Sequence, residues 1–281
     1  MDTQIGYCID WISGTKIDGG FDLALILPDG LGHVVADARP QNGYNKGVIT
    51  ACGAIVLWHT AFPDMGWHMV MSGAALREIR AAGMDDRTLV RKLSARGIRF
   101  SRIDLAMDVF NSEWFTPYLF KGLIEEKRFK TRARLPTFTS GVGNVKNGAT
   151  LYLGARTSPR MARIYDKAAE SGVDGLVWTR IEFELKEERA QLMQNVLVTQ
   201  MDVQTAFTAT WKGYTLQCDD ERINNLIGST TATMPDIPRK AHNTIAWLLD
   251  QVVPAMINFQ TEHPEVDILE LMSNAYKSYK S

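Results

Sequence analysis

The sequence predicts an α+β fold: an antiparallel β-sheet with flanking helices, followed by a helical C-terminal part. Residues 99–110 alternate strictly between apolar and polar side chains, which is the period of a half-buried strand. Residues 177–186 alternate in the same way. Segments at 187–211 and 240–260 follow the helical period instead. Strands that come first and helices that come last are typical of an antiparallel sheet with a helical appendix.

Turn signals divide the first hundred residues into short extended segments and two helices. Apolar or β-branched runs bounded by glycine-containing breaks predict extended segments at 5–12, 21–27, 47–58 and 67–72. A helix from about 74 to 82 follows. Asp85 or Asp86 caps a second helix, which Gly97 ends.

The middle of the chain mixes one helix with extended segments. Thr116 is a helix cap with proline behind it, and the helix runs to about Lys127. Residues 131–148 are polar and basic and contain three glycines, so they form a loop or a hairpin. Residues 150–153 are a strand. Residues 160–167 are extended, although a helix start in this segment is an alternative.

The domain organisation is predicted from the same pattern. Residues 1–215 form one domain that carries the chemistry, and residues 216–281 form a helical C-terminal region. A Thr- and Pro-rich stretch at 228–238 is the candidate linker. No internal repeat or low-complexity tract is present.

Composition places the chain among ordinary globular proteins and excludes several classes. The net charge is −1, with 45% hydrophobic and 22% charged residues, which excludes global disorder. Cys8, Cys52 and Cys218 are far apart, which argues against a disulfide framework and a structural zinc site. No secretory signal and no apolar run of about 20 residues is visible. We therefore expect a cytoplasmic protein with no membrane partner.

A local basic stretch qualifies the neutral net charge. Residues 121–170 contain eleven lysines and arginines but four acids. A nucleic-acid surface is one interpretation, and a solvated basic loop and helix face is the other.

Two alternating strands carry acids on their polar faces. These acids are Asp104, Asp108, Glu182 and Glu184. If the strands are neighbours, their carboxylates converge and suit a hard cation, Mg²⁺ or Mn²⁺. Small Ala106 leaves space between the first two acids. The alternative is a solvent-exposed sheet face on which Arg102, Arg180 and Lys186 pair with the acids.

Tyr165 is the candidate nucleophile. Arg163 and Lys167 flank it and share its face in an extended segment, so they would favour the phenolate and bind phosphate oxygens. Tyr152, from the adjacent strand, is a competing candidate, and a half-buried packing role is the alternative for either tyrosine. His68 lies in a strand and is either a packing residue or a further ligand.

Several stretches, in order, resemble the replication initiation factor family, the rolling-circle initiators of plasmids, filamentous phages and integrative elements. The most specific is Thr150–Ser158 followed by Arg163-Ile164-Tyr165-Asp166-Lys167, which is similar to the family's TxYxGxRxS and RxYDKxxE signature. The other matching stretches are Ile9–Ser13, His68–Gly73, Ser101–Asp108 and Thr179–Glu184. The resemblance covers roughly residues 5–190, and Ala155 departs from the serine that is frequent at its position.

The resemblance implies a fold distantly related to the HUH nickases, with acids in place of the histidine pair. It implies that Tyr165 attacks origin DNA, leaving a 5′-phosphotyrosine and a 3′-OH primer, with Arg163 and Lys167 on the phosphate. It also implies that the metal ligands are among the four acids, although the family uses fewer than four. Asp10 or His68 is a further candidate ligand. A relaxase for conjugative transfer, a non-catalytic origin-binding protein and a domain without nucleic acid remain the alternatives.

The implied partner is origin DNA, single-stranded or extruded as a hairpin, with a host helicase and a single-strand binding protein as further partners. The oligomeric state stays open, with a dimer as one alternative. The candidate DNA-binding residues are Arg102, Lys130, Arg132, Arg134, Lys146, Arg156 and Arg180.

Overall fold

The computed structural model describes residues 2–133, 135–141, 148–234, 253–268 and 270–271. The chain divides into two compact units, Met1–Ile237 and Pro238–Ser281. The first unit extends beyond residue 215, where the sequence predicted the end of the first domain, because a strand and a helix after that position still pack on it.

Twelve strands are present in the part of the chain that the structure describes. They are β1 (Gln4–Lys16), β2 (Val34–Asp37), β3 (Lys46–Thr50), β4 (Ile55–Trp58), β5 (Trp67–Ser72), β6 (Arg99–Phe110), β7 (Phe129–Thr131), β8 (Pro136–Thr139), β9 (Thr150–Leu153), β10 (Arg160–Asp166), β11 (Trp178–Lys186) and β12 (Thr215–Cys218).

Ten of these strands form one antiparallel sheet in the order β2-β3-β4-β5-β1-β6-β11-β10-β9-β8. The two strictly alternating strands, β6 and β11, are hydrogen-bonded neighbours in its middle, with Asp104 opposite Glu184 and Asp108 opposite Arg180. Strand β10 pairs with the other side of β11 and places Arg163 opposite Glu182. The remaining strands, β7 and β12, form a separate two-stranded ribbon. The prediction of an α+β fold with an antiparallel sheet and flanking helices is confirmed.

The described helices follow the capping signals of the sequence. They are α1 (Gly73–Ala81), α2 (Asp86–Ala95), α3 (Pro117–Glu125), α4 (Lys167–Ser171), α5 (Glu188–Thr199), α6 (Val203–Tyr214), α7 (Glu221–Ile227) and α8 (Val253–Glu262). Asp85 caps α2, and Thr116 caps α3 with proline behind it, as predicted. Asp166 accepts the Ala169 amide and so starts α4 directly after the strand of Tyr165.

Three apolar stretches differ from the prediction. Residues 21–27 contain a 3₁₀ turn at Leu23–Leu25 rather than a strand. The run 47–58 is two strands, because Gly53 (φ 84°) turns the chain between them. The run 187–211 is two helices, because Asp202 caps a new helix with its side chain.

The two faces of the large sheet differ in chemistry. Apolar side chains of the central strands, such as Leu105 and Phe183, are fully buried on one face beneath α5 and α6. The opposite face carries the alternating polar residues. A register shift between Ile9 and Trp11 marks a bulge at Asp10, which directs that carboxylate toward the polar face. The sheet therefore packs its core on one side and presents charged residues on the other.

The second unit is described in part. Helix α8 lies within the stretch 240–260 and just beyond it, where the sequence predicted a helix; the residues of that stretch before 253 lie outside the described ranges. Among all described helices, none combines the length and the apolarity that a membrane span requires.

Candidate functional site

Tyr165 lies on the polar face, near the end of β10, which is the strand paired with β11. Its side chain is 3% exposed. The hydroxyl donates a hydrogen bond to Glu182 Oε2 at 2.8 Å. The guanidinium of Arg163 lies 4.9 Å from the ring centroid, and Lys167 Nζ lies 5.7 Å from it. Both cations that the sequence placed beside the tyrosine are therefore in contact range of its ring.

The pKa of Tyr165 is raised, although Arg163, one of the two cations predicted to favour the phenolate, acts to lower it. Burial is the largest cause, and the negative charge of Glu182 adds to it. The cations Arg180 and Arg163 lower the pKa without offsetting the burial. The hydroxyl is thus protonated in the resting site, and a base must remove its proton before the oxygen can attack.

Glu182 is the base in position to do so. Its Oε1 accepts hydrogen bonds from Arg163, with Nη2 at 2.6 Å and Nε at 3.1 Å, while its Oε2 accepts the Tyr165 hydroxyl. The carboxyl group is buried. Arg163 holds the Glu182 carboxylate through Oε1, which leaves Oε2 to accept the hydroxyl of Tyr165.

A second pair of carboxylates shares one arginine nitrogen. Arg102 Nη2 lies 2.6 Å from Asp104 Oδ2 and 2.7 Å from Glu184 Oε2. Burial and the nearby charges of Glu182 and Glu184 raise the pKa of Asp104 to about 7, against the opposing effect of Arg102. Lys186 Nζ lies 2.5 Å from the other oxygen of Glu184, so two cations, Arg102 and Lys186, face this pair of carboxylates.

Asp108, one of the four acids predicted as candidate metal ligands, belongs to a different cluster from Asp104 and Glu184. Arg180 donates to Asp108 through Nε and Nη2, at 2.7 and 2.8 Å, and its Nη1 lies 2.7 Å from Asp10 Oδ1. The indole of Trp178 donates to the same Asp108 carboxylate at 2.6 Å. Arg180 therefore joins Asp108, which it holds by two hydrogen bonds, to Asp10, which it meets in an ion pair without hydrogen-bond geometry.

His68 also lies outside the acidic group. Its ring hydrogen-bonds Thr15 at 2.9 Å and stacks on Tyr44 at 5.6 Å. Burial lowers its pKa, so its neutral form is favoured. These contacts agree with the packing role that the sequence left open.

No three ligating side chains converge on one point in the described part of the chain. The fit for a divalent cation rests on two carboxylates instead. Asp104 and Glu184 already share one positively charged atom, Arg102 Nη2, and Mg²⁺ is commonly held by one or two carboxylates together with water and substrate phosphate. The oxygen donors of Asp104 and Glu184 fit such an ion, which would take the place of Arg102 and Lys186 beside them.

A cleft of about 370 Å³ opens beside the tyrosine. Tyr165, Arg163 and Tyr152 line it, together with Asp166 and Glu170. The competing nucleophile Tyr152 stands opposite Arg163 on β9, but no carboxylate of the described residues accepts its hydroxyl. Of the two tyrosines in the cleft, Tyr165 is the one with a base.

The family follows from a comparison of the sequence with family models. Residues 98–268 match the model of the replication initiation factors. The chain belongs to the replication initiation factor family. The matched range contains Tyr165 and all four predicted acids. A search of curated proteins finds no match.

A solved structure agrees with this family assignment. The chain is similar to the rolling circle replication initiator protein from Geobacillus stearothermophilus, with a TM-score of 0.65 and 22% sequence identity. The alignment covers 75% of this chain and 86% of that one. At this identity the likeness establishes a shared fold.

The predicted DNA-binding residues of this replication initiation factor fall into three groups. Lys130 and Arg156 are exposed, and Arg132 is exposed with its Nε on the Gly213 carbonyl. Arg102 is half-buried and Arg180 is 3% exposed, and both are ion-paired on the polar face, which speaks against direct DNA contact by Arg180. Arg134 and Lys146 lie outside the described residues.

Lys167 was predicted to bind phosphate, but its position and its contacts in the structure do not leave it free to do so. It is the first residue of α4 rather than the last of the strand. Its Nζ donates to Glu170 Oε2 at 2.6 Å and lies 5.9 Å from the Trp178 ring. The lysine is buried and bound, so Arg163 is the cation better placed to meet a phosphate in this replication initiation factor.

The sequence did not single out Glu182 as the acceptor of the tyrosine hydroxyl, nor Arg180 as the bridge between two acids. The signal was present in the alternation of β10 and β11. These pairings can be inferred only once the strand register is known, which places Arg163 opposite Glu182 and Tyr165 opposite Arg180.

Proposed function

We propose that the protein initiates rolling-circle DNA replication by cutting one strand of its origin, with Tyr165 as the nucleophile. The observation that carries the proposal is the hydrogen bond from the Tyr165 hydroxyl to Glu182 Oε2 at 2.8 Å. Membership of the replication initiation factor family and the fold shared with a rolling-circle initiator support it.

The reaction is a transesterification at one phosphodiester. Tyr165 Oη forms a bond to phosphorus while its proton passes to Glu182, and the bond from phosphorus to the 3′-oxygen breaks. The 3′-oxygen takes up a proton and becomes the 3′-OH that primes synthesis. The 5′ side of the nick stays on Tyr165 as a phosphotyrosine.

Arg163 serves both the base and the phosphate. It is about one-third exposed, and it lines the cleft in which the phosphate would lie. Its guanidinium orients Glu182 and can donate further hydrogen bonds to a phosphate oxygen, which stabilises the charge that develops there.

A divalent cation, Mg²⁺ or Mn²⁺, would be held by Asp104 and Glu184. When bound, such an ion polarises a phosphate oxygen and neutralises charge. These two carboxylates would then exchange Arg102 and Lys186 for the ion.

The substrate is proposed to be unpaired at the nick. The cleft beside Tyr165 measures about 370 Å³, a volume suited to a nucleotide segment rather than to a duplex. A single strand, or the loop of an extruded hairpin, can place its backbone there.

The decisive experiment compares two tyrosine variants of the same cleft on supercoiled origin DNA with Mg²⁺ or Mn²⁺. Tyr165→Phe should give neither open circles nor a covalent protein–DNA adduct. Tyr152→Phe is the matched control and should retain both, because its hydroxyl has no base. An adduct formed by Tyr165→Phe would overturn the nucleophile, and a wild-type protein that never nicks its origin would overturn the enzyme.

A further inference from the structure

Three arginines face a second cleft, of about 520 Å³, at the end of the sheet where β10 begins. We call it the arginine cleft; it is lined by Arg132, Arg160 and Arg189 together with Tyr214, Thr137 and Ser158. Arg160 is the first residue of β10, Arg189 lies in the first turn of α5, and Arg132 follows β7. Three elements distant in sequence thus bring like charges together.

These arginines differ from those of the polar face. Arg102, Arg163 and Arg180 each lie within 2.7 Å of a carboxylate oxygen. Across the described ranges, no carboxylate lies within ion-pair distance of Arg160 or Arg189. Arg132 donates to a backbone carbonyl.

The environment of Arg160 destabilises the positive charge of its guanidinium group. Burial is the largest cause that lowers the pKa of its guanidinium, to about 10, and the charges of Arg189 and Arg132 add to it. Its guanidinium lies over the Tyr214 ring at 4.6 Å, which orients it without neutralising it. An anion in the cleft would relieve the repulsion, and three guanidinium groups match the charge and hydrogen-bonding capacity of a phosphate.

The position of the cleft links it to the site of Tyr165. Strand β8 is the edge of the large sheet, and it contributes Thr137 to the arginine cleft and Thr139 to the cleft of Tyr165. Arg160 and Tyr165 are on one strand, roughly 16 Å apart at about 3.3 Å per residue. Their side chains lie on opposite faces of the strand, so a DNA strand that meets both follows a path longer than this separation.

We propose that the arginine cleft binds a backbone phosphate of the origin DNA outside the nick. The choice of DNA as the source of the phosphate rests on the proposed function. The arginine cleft would then hold the DNA at a phosphate other than the one that Tyr165 attacks.

The test measures the affinity for origin DNA at several salt concentrations, with EDTA present so that no strand is cut. Arg160→Gln and Arg189→Gln should each reduce the slope of log K against log salt by about 0.9 if the contact is to duplex DNA, or by about 0.7 if it is to a single strand. Arg77→Gln, on the exposed surface of α1, is the matched control and should leave the slope unchanged.

A charge-preserving variant separates phosphate binding from a structural role. Arg160→Lys keeps the cation but loses the planar group that stacks on Tyr214, so it should retain the wild-type slope. If Arg160→Lys and Arg160→Gln reduce the slope of log K against log salt by the same amount, the arginine acts through packing and the proposal is overturned.

Two further outcomes are decisive. Unchanged slopes in both glutamine variants would overturn the proposal. If inorganic phosphate binds the wild type by calorimetry and fails to bind Arg189→Gln while the DNA slope is unchanged, the source is free phosphate and the DNA assignment is overturned. Because no cutting is measured, a wild-type protein that binds DNA with the expected slope but cannot nick contradicts the proposed function alone.

Discussion

Glu182 joins Tyr165 to Arg163: one carboxylate oxygen accepts the tyrosine hydroxyl at 2.8 Å, and the other accepts the guanidinium at 2.6 Å. A single side chain on β11 therefore contacts both the hydroxyl proton of the proposed nucleophile and the cation beside it. The pKa of the tyrosine is raised by burial and by this carboxylate, so its reactivity depends on the proton transfer.

Glu182→Gln should reduce the nicking rate by about 10²–10⁴-fold, because the amide can accept the hydroxyl hydrogen bond but cannot take up the proton at neutral pH. Binding of origin DNA should stay near the wild-type level. The measurement is single-turnover nicking, with Glu78→Gln on the surface of α1 as control. A rate within threefold of wild type would remove Glu182 from the role of base.

The stability of the protein should fall as pH rises between about 4 and 7, in the absence of divalent ions, through Asp104. Its pKa is 3.8 when unperturbed and about 7 in the fold, so the folded state holds the proton more tightly than the unfolded chain. The stabilisation is full below pH 4 and is lost above pH 7. Urea unfolding at pH 5 and pH 8 should show a loss on the order of 2 kcal/mol that Asp104→Asn lacks. An unchanged pH dependence in the variant would contradict the assignment.

Divalent ions should stabilise the protein through Asp104 and Glu184. At pH 8, an Mg²⁺ or Mn²⁺ concentration about 100 times the dissociation constant should add about 2.7 kcal/mol to the free energy of unfolding. The double variant Asp104→Asn/Glu184→Gln should show no such gain, while Asp64→Asn, an exposed acid far along the chain, should behave as wild type. Equal stabilisation of all three proteins would place the ion elsewhere.

Arg180→Ala should destabilise the fold by about 3–5 kcal/mol, because it leaves Asp108 and Asp10 without their buried partner. Burial opposes the charge on Arg180, yet its bonds to the two acids outweigh burial and raise its pKa. Denaturant unfolding measures the effect, with the exposed Arg156→Ala as control. A stable Arg180→Ala protein with weaker DNA affinity would instead support the role in DNA binding that the sequence predicted.

The sheet was predictable where the side-chain period is strict. The prediction for 99–110 matches β6 residue for residue, because one face of that strand packs on the core and the other carries polar groups. The period was less informative at 187–211, where both halves are helical and a single capping aspartate, Asp202, separates them. It also did not reveal two strands at 47–58, since both are apolar and the break is one glycine.

The site was predictable in its residue types and less so in its pairings. Alternation identified the acids of β6 and β11, but not which cation each acid binds, because that depends on strand order and register. Tyr165 illustrates the limit. The residues two positions before and after it are cations, whereas the group that accepts its hydrogen bond is seventeen residues away on the next strand.

The order of β6, β11 and β10 in the sheet has a consequence for biosynthesis. Asp104 and Tyr165 are translated before Glu182, and β11 lies between their strands. A nascent chain that has not passed Lys186 lacks the strand that joins them, and its tyrosine has no proton acceptor. The site proposed to cut DNA can therefore be assembled only after the ribosome has made the last of the three strands.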